Sequence, residues 1–155
     1  GTLAMMRIFL TGLILMMAPV LHAGEQRPCS IMLKFGHDKF GPVALYNLTL
    51  QTTNRTGRDV SAVSTLFFNG DGQLLGNTEL SCIGSNGPLG AGSTGECSKL
   101  MQTIDGKMME KFGTETWTAV VNTQLDQLNS IRQCEVIGFR YSEKRKGDKI
   151  TNSGN

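Results

Sequence analysis

The stretch Lys34 to Gly41 reads Lys-Phe-Gly-His-Asp-Lys-Phe-Gly, so a histidine and a carboxylate stand side by side between two glycines. A His-Asp pair could hold and relay a proton in a nucleophilic triad, and a histidine could also ligate zinc. Both chemistries need company. The chain has two histidines, and His22 falls in an apolar leader, which leaves His37 alone in the body of the protein. The flanking Gly36 and Gly41 instead predict a hairpin turn, with Phe35 and Phe40 closing two strands against the core. The triplet returns at Lys111 to Gly113, but three residues without a fixed period do not make a structural repeat.

Other candidate chemistries fail on spacing. Asn69-Gly70-Asp71-Gly72 echoes a calcium loop, yet the spaced acidic ligands and the closing glutamate are missing. The glycines between Gly84 and Gly95 resemble a phosphate loop in composition only, because no Gly-Lys-Ser/Thr follows and no strand leads into a helix there. The carboxylates form no pair suited to glycoside hydrolysis, and no Cys-x-x-Cys supports thiol redox chemistry. These residues therefore predict no catalytic, cofactor-binding or metal-binding site, and the reading is of a non-enzyme without a cofactor. What remains is surface. Met101, Met108, Met109 and Phe112 gather thioethers and an aromatic ring in one short region, suited either to core packing or to an adaptable protein-binding face. A polar strand over Leu74 to Cys82, expected at a sheet edge, offers association by strand addition or strand exchange.

Arg7 followed by an apolar run from Ile8 to Val20 and then Leu21-His22-Ala23 has the form of a secretory signal peptide, too short to span a bilayer. Residues 1–23 are thus expected to be leader and signal peptide, with Gly1 to Ala4 upstream of the first plausible initiator. Residues 24–147 form one expected domain, and 148–155 a disordered tail. The destination is the periplasm or the exterior. All four cysteines fall after the leader, and in an oxidising space an even number favours disulfides. Of the three connectivities we prefer Cys29 with Cys134, joining the first and last strands, and Cys82 with Cys97, closing the glycine-rich loop. Removing Arg7 from the 15 basic residues leaves 14 against 13 acidic ones. So balanced a chain is a poor nucleic-acid ligand, and nothing after the leader suits a membrane.

Strand periodicity runs through most of the body. Cys29, Ile31, Leu33 and Phe35 share one face, and Ala44, Tyr46, Leu48 and Leu50 share the next. A strand rich in β-branched and aromatic residues, Val60 to Phe68, stops at Asn69-Gly70-Asp71-Gly72, a hairpin signal, and Leu74 to Cys82 returns. Glu96 to Ile104 makes another strand, and Asp105 to Phe112 one or two helical turns. Trp117 to Ile131 fits either a helical stripe or a strand. Cys134 to Tyr141 alternates as a final strand. Short strands, hairpin turns and no βαβ rhythm predict an all-β antiparallel sandwich of fibronectin III or immunoglobulin-like type, with a short helix between late strands.

Three segments carry a resemblance: Leu48-Thr49-Leu50 through Asn54-Arg55-Thr56-Gly57, Leu66 through Gly76, and Pro88-Leu89-Gly90-Ala91-Gly92-Ser93. They are similar to the central strands of small secreted bacterial immunoglobulin-like and fibronectin-type domains. Within that group, size, leader and cysteine number resemble the interleukin receptor mimics of pathogenic enterobacteria, over roughly Leu45 to Ser98. The resemblance implies a fibronectin III-like fold, a homodimer formed by exchanging strands, and binding of host cytokines. The expected function is therefore a secreted protein-binding module, with a periplasmic inhibitor or immunity protein that caps a toxin enzyme as the alternative. The inhibitor would use the loop Gly84 to Gly95 as a protruding, disulfide-pinned wedge.

Overall fold

The structure is a computed structural model that describes residues 25–84 and 87–143; the expected leader and C-terminal tail lie outside the described residues. The chain runs through β1 (Gln26–Pro28), β2 (Ser30–Asp38), β3 (Gly41–Thr53), β4 (Val60–Asn69), β5 (Leu74–Ile83), β6 (Thr94–Ile104), α1 (Gly106–Leu128) and β7 (Ile131–Tyr141). The fold is all-β and antiparallel, with one helix between late strands, as the periodicity predicts. The strands form a single curled sheet in the order β1-β7-β4-β5-β6-β3-β2, a half barrel whose concave side holds the core.

Two seams decide the shape. β1 pairs with β7 at one end of the order, and β2 pairs with β3 at the other. Yet β1 and β2 are consecutive pieces of one extended run, divided at Cys29. The chain itself therefore bridges the two ends of the sheet. Cys29 N donates to Arg132 O at 3.2 Å, and Cys29 is disulfide-bonded to Cys134 of β7 with Cα atoms 5.7 Å apart. The second seam lies mid-order, where β5 and β6 pair only over Ser81↔Ser98, Cys82↔Cys97 and Ile83↔Glu96. Cys82 and Cys97 face each other there and are bonded. Both preferred cysteine pairings are thus present, one at each seam.

The core follows from alternation. Ala44, Tyr46, Leu48 and Leu50 of β3 are fully buried and meet Val60 and Val63 of β4, Leu80 of β5 and both disulfides in one cluster. The ambiguous stretch Trp117 to Ile131 resolves as helix through Leu128, with Ile131 opening β7. Its helical stripe wins because Trp117, Val120, Leu125 and Leu128 pack on the core and Val121 is buried within it, so tertiary burial overrides the strand propensity of Trp-Thr-Ala-Val-Val. Tyr46 crosses the core to donate its hydroxyl to Val121 O at 2.6 Å, tying β3 to the helix. Burial pushes the Tyr46 hydroxyl above its usual range. Gly113, at φ 82° and ψ 174°, interrupts the helix, a positive-φ conformation that glycine adopts without steric clash.

Leu74 to Cys82 is not a terminal strand of the sheet. β5 pairs with β4 along most of its length, but its other side is paired only at Ser81–Ile83, so the expected open edge exists over its first half. Phe35 and Phe40 do not close strands against the core: Phe35 is 62% exposed and Phe40 37% exposed. Phe35 sits on the core-facing row of β2 but beyond the covered part of the barrel, where its ring lies 6.0 Å from that of Trp117.

The disulfides close segments with sequence separations of 105 and 15 residues. Replacing Cys29 and Cys134 together by alanine should lower unfolding free energy by about 4 to 5 kcal/mol, and replacing Cys82 and Cys97 by about 3 kcal/mol. Urea unfolding of the two double variants beside the parent checks the order; equal or negligible losses would show that the seams hold without them.

Candidate functional site

The aspartate of the His-Asp pair is a structural staple. β2 and β3 meet in a tight turn at Lys39 and Phe40, with Asp38 opposite Gly41. Asp38 Oδ1 accepts from Phe40 N at 2.8 Å and from Gly41 N at 3.0 Å, while Oδ2 accepts from Gly106 N at 2.9 Å. One carboxylate thus closes the hairpin and receives the first amide of the helix. Asp105 caps the same helix, accepting from Lys107 N at 3.0 Å. Gly106 is required by approach, since a Cβ there would collide with Asp38 Oδ1 and with the Gly41 backbone. His37 is exposed on the strand and takes no part in these bonds. Lys39 and Lys107 both hold their ammonium groups over the Phe40 ring, at 5.0 and 5.1 Å, so the second Lys-Phe of the motif is a surface cation–π clasp.

The glycine-rich loop is anchored to the core at one point. Leu89, midway along it, is 1% exposed and inserted in the core. Val60 N donates to Leu89 O and Leu89 N to Val60 O, both at 2.9 Å. Asn54, a buried amide, holds the loop from the other side: its Nδ2 donates to Arg58 O at 2.7 Å and Leu89 O at 2.9 Å, and its Oδ1 accepts from Thr56 N and Thr56 Oγ1. Every polar atom of that side chain is satisfied, as burial demands. Sequence reasoning assigned Asn54 only to a turn; its loop-anchoring role depends on Leu89, far along the chain.

The methionine region is divided. Met101 lies at a register shift where β6 skips from Leu100 to Gln102 opposite β3, and it packs on the core. Met109 stands beside Gly41 at the hairpin. Met108 and Phe112 do come together, lining a shallow groove with Ile104 and Val120 between the end of β6 and the helix. Phe112 is 60% exposed at its lip. Lys107 and Lys111 also border the groove. A second apolar hollow lies at Phe35, Pro42 and Trp117, where the Trp117 Nε1 is buried without a hydrogen-bond partner among the described residues.

Among the described residues, no three His, Cys, Asp or Glu side chains converge in a way that could hold a metal ion. None of their helices is long and apolar enough to cross a membrane. Comparison with protein-family models, curated proteins and solved structures finds no match.

Three backbone amides hold the Asp38 carboxyl below its usual value, Gly106 N most strongly. A carboxyl whose value is lower folded than unfolded contributes stability that is present above the unfolded value, 3.8, and lost as pH falls through the folded one. Asp38→Ala should flatten the acid limb of the stability curve below about pH 4 and weaken the amide protection of Gly106. Parallel thermal melts from pH 7 to pH 2 check this; identical acid limbs would contradict the staple.

Proposed function

We propose that this chain is a secreted protein-binding module whose contact surface is the groove between β6 and α1, and that its partners are extracellular proteins, host cytokines among them. The observation that carries the reading is Phe112, a large aromatic left 60% exposed at the lip of a groove floored by Met108, Ile104 and Val120. Aromatic anchors beside flexible thioethers supply much of the energy of protein recognition while adapting to partner shape. Two disulfides support an oxidising destination, periplasmic or extracellular. Cytokine recognition comes from the resemblance to receptor mimics, as does a homodimer formed by exchanging strands. The toxin-capping alternative is less favoured, because the loop between Cys82 and Cys97 is tied to the core at Leu89.

The test is capture by the oxidised chain from Gly24 onward, using immobilised purified cytokines and a periplasmic extract side by side, with light scattering for the oligomer. The expected result is saturable binding of a host cytokine that Phe112→Ser weakens at least tenfold, about 1.4 kcal/mol, with an unchanged melting curve. Binding of one periplasmic toxin enzyme, insensitive to Phe112→Ser, would overturn the reading.

A further inference from the structure

The groove borders a strand edge that has no partner among the described residues. β6 pairs with β3 along its whole length, from Thr53↔Thr94 to Ala44↔Ile104. On its other side it pairs with β5 only as far as Ser98. From Lys99 to Thr103 the outer edge carries no backbone bond to any described residue, and Lys99, Leu100, Gln102 and Thr103 are exposed. β5 diverges from it to follow β4, so its own free edge does not fill the gap. An open row of amides and carbonyls is a template for one kind of ligand, an extended backbone.

The side chains around the edge narrow the ligand further. Register places Ile104 opposite Ala44, Gln102 opposite Tyr46 and Lys99 opposite Leu48; the three β3 residues are all core-facing, so these β6 residues share the groove side of the strand. The added strand's residues on that side would lie over Met108, Phe112 and Val120. Among the described residues, Lys107 and Lys111 outnumber Asp105 in the lining of the groove. The Lys107 ammonium lies over Phe40, and the Asp105 carboxylate accepts from the Lys107 backbone amide at the helix start. Lys99 and Lys111 have no carboxylate within ion-pair distance among the described residues.

We propose that the free edge of β6 from Lys99 to Thr103 takes up an extended partner segment as an added strand, one whose groove-facing row is apolar at the centre and acidic at the ends. Main-chain bonds to β6 supply the attachment. Met108, Phe112 and Val120 select the apolar row, and Lys99 and Lys111 select the carboxylates. The inference rests on the protein-binding reading and specifies its mode and the partner's chemistry.

The test titrates the oxidised, nitrogen-15-labelled chain with the capped peptide Glu-Thr-Val-Thr-Val-Thr-Glu, which places Glu, Val, Val and Glu on one face. Two controls are the same peptide with lysine at both ends and the same peptide N-methylated at alternate residues to block edge bonding. Expected are shifts of the Lys99 to Thr103 amides with the acidic peptide, at least tenfold weaker binding of both controls, and a reversed end-charge preference in the Lys99→Glu, Lys111→Glu double variant. Equal binding of all three peptides, or no shift along Lys99 to Thr103, overturns the proposal. Cytokine capture by the same double variant separates the two levels: undiminished capture leaves the module reading standing and removes this edge from it, whereas no capture by the parent chain removes the module reading itself.

Discussion

Everything in this molecule depends on how a single antiparallel sheet is kept curled. A sheet of seven strands with a concave apolar face can bury that face only if its flanks stay bent toward each other, and here they meet along two short seams. One is a three-residue ladder between β5 and β6; the other is the crossing of one chain between β7 and β3. Neither carries many backbone bonds. Each carries a disulfide, Cys82 to Cys97 and Cys29 to Cys134, buried in the same core cluster that the curl creates. The covalent links and the hydrophobic burial therefore reinforce one another: the links hold the flanks close, and the enclosed Leu48, Leu50, Val63 and Leu80 reward the closeness.

The helix completes what the curl leaves open. It lies on β3 and β2, where the opposite flank does not reach, and Tyr46 fastens it from within by a bond to the Val121 carbonyl. Its start is set by the β2–β3 hairpin, since Asp38 receives the Gly106 amide while Gly106 leaves room for the Gly41 backbone. The geometry of that start fixes where Met108 and Phe112 emerge. Because the helix covers β2 and β3 rather than β6, a groove is left beside β6, and the same parting of β5 from β6 leaves the adjoining strand edge unpaired. Surface and seam are two consequences of one topology.

Much of this was legible in the residues. Alternation located the strands of Tyr46 and Cys134, the even cysteine count in an oxidising setting led to both pairings, and Asn69 to Gly72 marked its hairpin. The misread elements share a cause, which is dependence on distant partners. Phe35 lies on the correct face, but its position along β2 carries it past the covering flank, and no local pattern encodes where that cover ends. The stripe from Trp117 to Leu128 is helical because Tyr46 and the core receive it. The glycine-rich loop looked free because Leu89 is one apolar residue among glycines, and its slot is made by Val60 and Asn54. For the candidate surface, the methionine cluster was visible as composition. Its division, with Met101 packed on the core, Met109 beside the hairpin and Met108 and Phe112 at the groove, follows from a register shift in β6 and the helix position.

The central claim is that the flanks are pinned at two seams and parted between them, leaving one side of β6 open. Hydrogen exchange of the oxidised chain, resolved by residue, tests it most directly. The account predicts that amides of Tyr46, Leu48, Leu50 and Val63 exchange slowly, and that protection alternates from Lys99 to Thr103, slow where the amide points to β3 and fast where it points away. Uniformly slow exchange along Lys99 to Thr103 would mean that the edge is already paired, and would contradict the account.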